Sequence, residues 1–290
     1  MLVTVPKGSS DENAYSRYAV NQAARLAANT WPDVVMLAVE QKRSYLVEED
    51  MAQEHAHPKT RLLRRYRADF LEALGAEVDI YGREADTPFD RLNGVLEEDA
   101  SGRKAFRLHV RNGNPVKAIK TEAKEAGSDL IILGCGQHEG GWGLGSDVPG
   151  KIADSADCSV FVIRENMMPS KVVCCLDHAN VTQESLELIN QCVTLYGAEL
   201  EVVGVLKRGE LKEDVEAKMG EVLDYYLKRD IRALVRVVDE HSLEAFIEAG
   251  GKNDLMALWL THKSPLQRLL PGSRVVSLVN NSSSSILILR

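Results

Sequence analysis

The sequence predicts an α/β protein made of two repeated open, five-stranded, mostly parallel sheets flanked by helices. Three observations carry this expectation. Residues 158–164 (CSVFVIR) read like residues 284–290 (SSILILR). A second apolar run precedes each of them at nearly the same distance, with Asp129 29 residues before Cys158 and Asp254 30 residues before Ser284. Between such runs lie helix-length segments, and uninterrupted apolar strands alternating with helices indicate a parallel sheet covered on both faces. At 290 residues the chain exceeds what one core usually serves.

In the first copy, residues 2–5 open the sheet and residues 34–39 form its second strand. A basic, aromatic helix is expected over 45–74, broken near His57 and Pro58. Its Leu62, Leu63, Tyr66, Phe70, Leu71 and Leu74 describe one apolar face. That face covers the domain's own sheet, leaving Lys59, Arg61, Arg64, Arg65 and Arg67 to solvent or to acids, with a partner protein as the alternative. Residues 75–104 have no counterpart in the second copy. They read as an inserted hairpin or loop with a short helix over 89–98, either a surface elaboration or a lid or partner-binding surface. Strands follow at 106–110, 129–134 and 158–163. The first domain is expected over 1–165 and the second over 166–290, with Pro169 discouraging regular structure at the join.

The second copy opens with residues 172–175 and continues with a strand over 200–205. Asn180 and Gln183 form a candidate capping box before a helix whose Leu186, Ile189 and Val193 share one face. A helix over 211–227 presents Val215, Met219, Val222 and Tyr226. Strands at 233–238, 255–260 and 285–289 alternate with helices near 242–249 and 273–279.

Composition excludes several classes. Apolar residues at 44% and charged residues at 27% describe a folded globular chain. Thirty-five basic against 43 acidic residues, a net charge of -8, argue against a nucleic-acid partner. Apolar runs of about five or six residues are too short for a membrane span, and residues 1–8 lack the pattern of a secretory signal. Five cysteines without a C-x-x-C pair suit buried thiols in a reducing, cytoplasmic setting.

The ordered set of features resembles tandem universal stress protein domains. It comprises an opening strand, the Gly113-Asn114-Pro115 element before a helix, Gly134 ending a strand, a glycine-rich loop to Gly145-Ser146, and the final strand after Cys158. The resemblance covers nearly the whole chain except the insert. It implies strand order 3-2-1-4-5 and an adenine nucleotide over the carboxyl ends of strands 1 and 4. Its loop has the form G-x2-G-x9-G-[ST], in which glycine backbone approaches phosphate oxygens.

Both copies depart from that pattern. In the first, Gly134 holds the first glycine position, Gln137 replaces the second, and Ser146 stands where the third belongs, one residue after Gly145. Gly136, Gly140, Gly141 and Gly143 offer another route for the turn, His138 is a candidate phosphate donor, and Trp142 either packs on its own helices or is exposed to cover a base or mark a contact. Lys7, followed by Gly8 and Ser9, takes the place of the family's strand-ending Asp. The second copy keeps Asp177, but Trp259 and His262 replace the first two glycines before Gly272-Ser273. Asp177, His178 and His262 read as a polar rim, with a metal site or a base as alternatives.

The resemblance therefore implies a non-catalytic stress-response or regulatory protein with weakened or lost nucleotide binding. The alternative is a regulator holding ATP or a related adenine nucleotide, the one candidate cofactor, through residues 134–146; a slow nucleotide hydrolase stands third. The apolar final strands lead us to expect an intramolecular pseudo-dimer, and helix faces near Tyr66 and Trp142 a homodimer.

Overall fold

The computed structural model describes residues 1–5, 14–40, 58–82, 89–100, 102–136, 142, 147–166, 168–175, 181–206, 210, 213–260, 270 and 272–290. It has the expected α/β class. The chain divides into two compact units, Met1–Val148 and Pro149–Arg290.

In unit 1, β1 (Leu2–Val5) lies between β2 (Val34–Glu40) and β6 (Leu130–Gly134), parallel to both. β5 (Phe106–Asn112) adds parallel to β2. The succession β5-β2-β1-β6 is thus the order 3-2-1-4. Helix α1 (Ala14–Thr30) buries Ala19, Val20, Ala23, Ala24, Leu26 and Ala27, spaced to form one face whose small side chains allow close packing. Helix α2 (Pro58–Leu74) buries Leu63, Tyr66, Phe70 and Leu74 at three- and four-residue spacing. Pro58 suits its first turn, and residues 45–57 of the expected helix lie outside the described residues. Beyond α2, Phe70, Tyr81 and Phe106 meet edge to face at centroid separations of 5.0 to 5.8 Å. The Tyr81 hydroxyl donates to the Pro32 carbonyl at 2.7 Å.

The insert corrects one expectation. Residues 89–98 form no helix. β3 (Asp90–Leu92) and β4 (Val95–Ala100) make an antiparallel hairpin, and β4 pairs antiparallel with β5. Asn93 and Gly94 carry the turn at φ of 51° and 82°, the left-handed pair that a two-residue hairpin loop requires. The hairpin is tied down on both sides. Arg64 of α2 donates to Glu98 at 2.9 Å, and Arg64 and Arg67 lie over the Phe89 and Phe106 rings. The basic face of α2 therefore serves the insert as well as solvent.

In unit 2, β8 (Lys171–Cys175), β9 (Glu199–Leu206), β10 (Ala233–Asp239), β11 (Asp254–Trp259) and β12 (Ser285–Leu289) follow the order β10-β9-β8-β11-β12, all parallel. This is 3-2-1-4-5. On β12 lies β7 (Ser159–Ile163), antiparallel, with Leu287 opposite Phe161, which is why the compact division falls before β7. Helix α5 (Gln183–Tyr196) is capped at Thr182, whose hydroxyl accepts from the Ser185 N–H at 3.2 Å while the Thr182 N–H donates to Ser185 Oγ at 3.1 Å. The capping box thus sits two residues beyond the expected one, because Thr182 and Ser185 both carry short hydroxyls that reach the backbone. Asn180 lies outside the described residues. Gly197 ends α5 in the left-handed conformation at φ of 60°. Helix α6 (Glu213–Leu227) buries Val215, Met219, Val222 and Tyr226 as expected. Helices α4 (Val148–Ser155), α7 (Leu243–Glu248) and α8 (Gly272–Asn281) precede β7, β11 and β12.

Two arginines tie each antiparallel strand to the helix that precedes the other. Arg164, just after β7, donates to the carbonyls of Val279 and Asn280 at the end of α8. Arg290, just after β12, donates to those of Ala153, Asp154 and Ala156 at the end of α4. Each main chain also donates to the opposing strand's serine, Arg164 N to Ser285 Oγ at 3.1 Å and Arg290 N to Ser159 Oγ at 3.3 Å. A guanidinium at a helix C-terminus satisfies orphan carbonyls and meets the negative end of the dipole.

Candidate functional site

Of the residues assigned to a nucleotide site, Gly134 and Gly136 are described. Lys7, Gly8, Ser9, Gln137, His138, Gly145 and Ser146 lie outside the described residues, as do Asp177, His178 and His262. Gly134 ends β6, and a Cβ built there would stand 2.1 Å from the Tyr15 carbonyl oxygen in the first turn of α1. A Cβ on Gly136 would stand 2.4 Å from Cε2 of the Tyr15 ring. The absence of side chains at both glycines is therefore used by this chain's own helix. Tyr15 in turn stacks edge to face with Tyr18 at 5.7 Å.

Trp142 completes the arrangement. Its indole is buried, at 3% exposure, and Nε1 donates to the Gly134 carbonyl at 3.3 Å. Packing against its own domain is the role it takes in this structure. Tyr66 of α2 is likewise buried, at 4% exposure.

In unit 2 the corresponding strand end carries a large residue. Trp259 closes β11 at 1% exposure, and its Nε1–H donates to Ser185 Oγ at 2.6 Å in the first turn of α5. Ser185 is the residue that completes the α5 cap, so the indole and the helix start are fastened together.

One titratable cluster lies apart from these glycines. His109 of β5 contacts Glu122 of α3 (Pro115–Glu125) through Nδ1 at 2.8 Å and Glu97 of β4 through Nε2 at 3.0 Å. Arg111 holds the other Glu122 oxygen and Glu125. Burial alone lowers the His109 pKa, but the hydrogen bond and charge of Glu122, with Glu97, raise it above its ordinary value. Glu122 is pushed up by burial and pulled further down by His109 and Arg111, so it ends below its ordinary value. Asn114 caps α3 by accepting from Lys117 N at 3.1 Å, with Pro115 at the first helical position. The sequence offered no pointer to this cluster, since its members come from three elements.

Three fully buried cysteines of unit 2 are held as neutral thiols by their environment. Burial pushes Cys175 and Cys192 up to about 12, and Cys174 well above its ordinary value. Among the described residues no three His, Cys, Asp or Glu side chains are grouped to hold a metal, and no helix is long and apolar enough to cross a membrane.

Residues 10–164 match the model of the Universal stress protein family. No curated protein matches the chain. Among solved structures the chain is similar to a universal stress protein from Archaeoglobus fulgidus DSM 4304, at 13% identity, 100% coverage of this chain, 98% of that chain and a TM-score of 0.57. It is also similar to a functionally unknown protein from Pseudomonas aeruginosa PAO1, at 14% identity, 99% and 92% coverage and a TM-score of 0.55. At these identities the likeness is one of fold.

Proposed function

Because the chain belongs to the universal stress protein family, we propose that it is a non-catalytic stress-response or regulatory protein with tandem universal stress domains and weakened or lost nucleotide binding. The observation that supports this reading is the use made of Gly134 and Gly136. Glycines that would let backbone approach a phosphate instead let Tyr15 approach, and Trp142 covers the Gly134 carbonyl. A ligand entering there must displace packed aromatic surface, which opposes binding. In the second domain Trp259 fills the strand end that would need glycine. The reading places the protein in the cytoplasm and takes the β7–β12 pair as the seam between the final strands of the two domains.

The second reading, an ATP or adenine-nucleotide regulator using residues 134–146, draws support from the retained Gly134 and Gly136. Calorimetric titration of the full chain with ATP and magnesium separates the two. The first expects no saturable heat up to about 1 mM, where binding is worth roughly 4 kcal/mol. Saturable binding below that concentration would establish the second, and steady phosphate release would establish hydrolysis.

A further inference from the structure

The outer strands of the two units are treated differently. In unit 1, β5 is covered: β4 pairs along it, and the strand outside β4 is the three-residue β3, which carries Asp90 and Arg91. A short, charged last strand is how sheets discourage unwanted pairing. In unit 2, β10 is seven residues long and, among the described residues, has a neighbour on one side only, β9. Its sequence ALVRVVD is strongly β-forming.

Leu234, Val235 and Val237 are 58%, 52% and 44% exposed, and Leu227, at the end of the helix leading into the strand, is 63% exposed. These are four of the seven large apolar side chains that the described residues expose, so the patch is concentrated. Leu234 points to one face of the sheet and Val235 and Val237 to the other. Exposure on both faces is what a missing lateral strand leaves, whereas a missing helix would expose one face.

We propose that β10 is the homodimer interface, pairing antiparallel with β10 of a second copy about a two-fold axis. The charge distribution selects this occupant. Lys228, Arg229 and Arg232 outweigh Asp230 just before the strand, and Asp239 and Glu240 close it. Antiparallel self-pairing lays the basic start of each strand beside the acidic end of the other, twice. With Arg236 at the axis, Arg232 of one copy lies opposite Glu240 of the other, Val235 opposite Val237, and Leu234 opposite Val238. The two Arg236 side chains that meet there are each already paired with Glu201 of their own chain. The pairing satisfies the free backbone groups of both edges and extends each sheet into the other.

Sedimentation equilibrium of the full chain tests this. The wild-type chain is expected to dimerise with increasing concentration. Val235→Lys combined with Val237→Lys should weaken association at least about tenfold, because every lost cross-strand pair counts twice in a symmetric interface. The thermal midpoint of the monomer should not fall, since both side chains are exposed. Arg232→Glu and Glu240→Arg should each weaken the dimer, and the two together should restore it. A wild-type chain monomeric up to about 0.1 mM, a dimer indifferent to the lysines, or a double charge swap that fails to restore association would each overturn the proposal. So would a monomer whose β10 amides become protected only when another protein supplies the strand.

Discussion

The Trp259 indole donates to the Ser185 hydroxyl at 2.6 Å in unit 2, while in unit 1 Gly134 lies against Tyr15. The strand end is large and the helix residue small in one unit, and the reverse holds in the other. Tyr15 stands thirteen positions after Leu2, and Ser185 thirteen after Val172, so the two helix residues occupy matching places relative to opening strands that pair alike with their neighbours. An aromatic ring thus fills the region between strand end and helix start in both units, supplied from opposite sides.

Removing the indole should therefore be structural. Trp259→Ala is expected to destabilise the fold by about 3–5 kcal/mol. Trp259→Phe keeps most of the volume but removes the indole donor from Ser185, for a loss of about 1–2 kcal/mol. Urea midpoints at constant m-value measure both, and a midpoint unchanged by Trp259→Ala would contradict the burial.

The two glycines of unit 1 should answer differently to the same partner. Gly136→Ala sets a methyl against the Tyr15 ring, whereas Gly134→Ala sets one against the Tyr15 backbone. Each should cost about 1–3 kcal/mol as overpacking. Adding Tyr15→Ala should relieve the Gly136→Ala penalty and leave that of Gly134→Ala in place. A double-mutant cycle checks this; equal relief at both positions would mean the backbone of α1 gives way.

His109 should make the hairpin clamp depend on pH. Its folded pKa is raised above about 6.5, so its stabilising contribution is complete below the unfolded value and is lost as pH rises through the folded one. Glu122, with a lowered pKa, contributes above its unfolded value near 4.5 and loses that contribution as pH falls through its folded pKa. Nuclear magnetic resonance titration should place the His109 pKa above 6.5. Thermal midpoints measured between pH 6 and pH 8, bounds set about the ordinary histidine range, should fall with rising pH and do so less in His109→Gln. A His109 pKa at or below the ordinary value would remove the clamp.

The paired arginines should be individually costly. Arg164→Ala and Arg290→Ala each remove charge-assisted bonds to helix-end carbonyls, about 1.5–3 kcal/mol apiece. Lysine should recover only part, because a single ammonium cannot reproduce the guanidinium fork. Chemical unfolding of the four variants measures this, and full recovery by lysine would assign the effect to charge alone.

The repeated final strands, the central strands near Asp129 and Asp254, and the amphipathic faces of α5 and α6 were legible in the sequence because local periodicity encodes which side of an element is apolar. So was the anomaly of Trp259, since a bulky residue stands out where the repeat expects glycine. The Asn93-Gly94 turn was also written in the sequence, but a helix was expected over it; a short apolar and acidic stretch such as 95–100 has no periodicity strong enough to decide until β5 offers it an edge. Other features arise only when elements meet. Tyr15 lies 119 positions before Gly134, and nothing local says that the glycine makes room for a helix rather than for a ligand. The exchange of Arg164 and Arg290 and the gathering of His109 with Glu97 and Glu122 depend likewise on tertiary contact. Sequence patterns specify the faces that must be buried; the choice of which faces meet is made by the complementarity of shape and charge across distant parts of the chain.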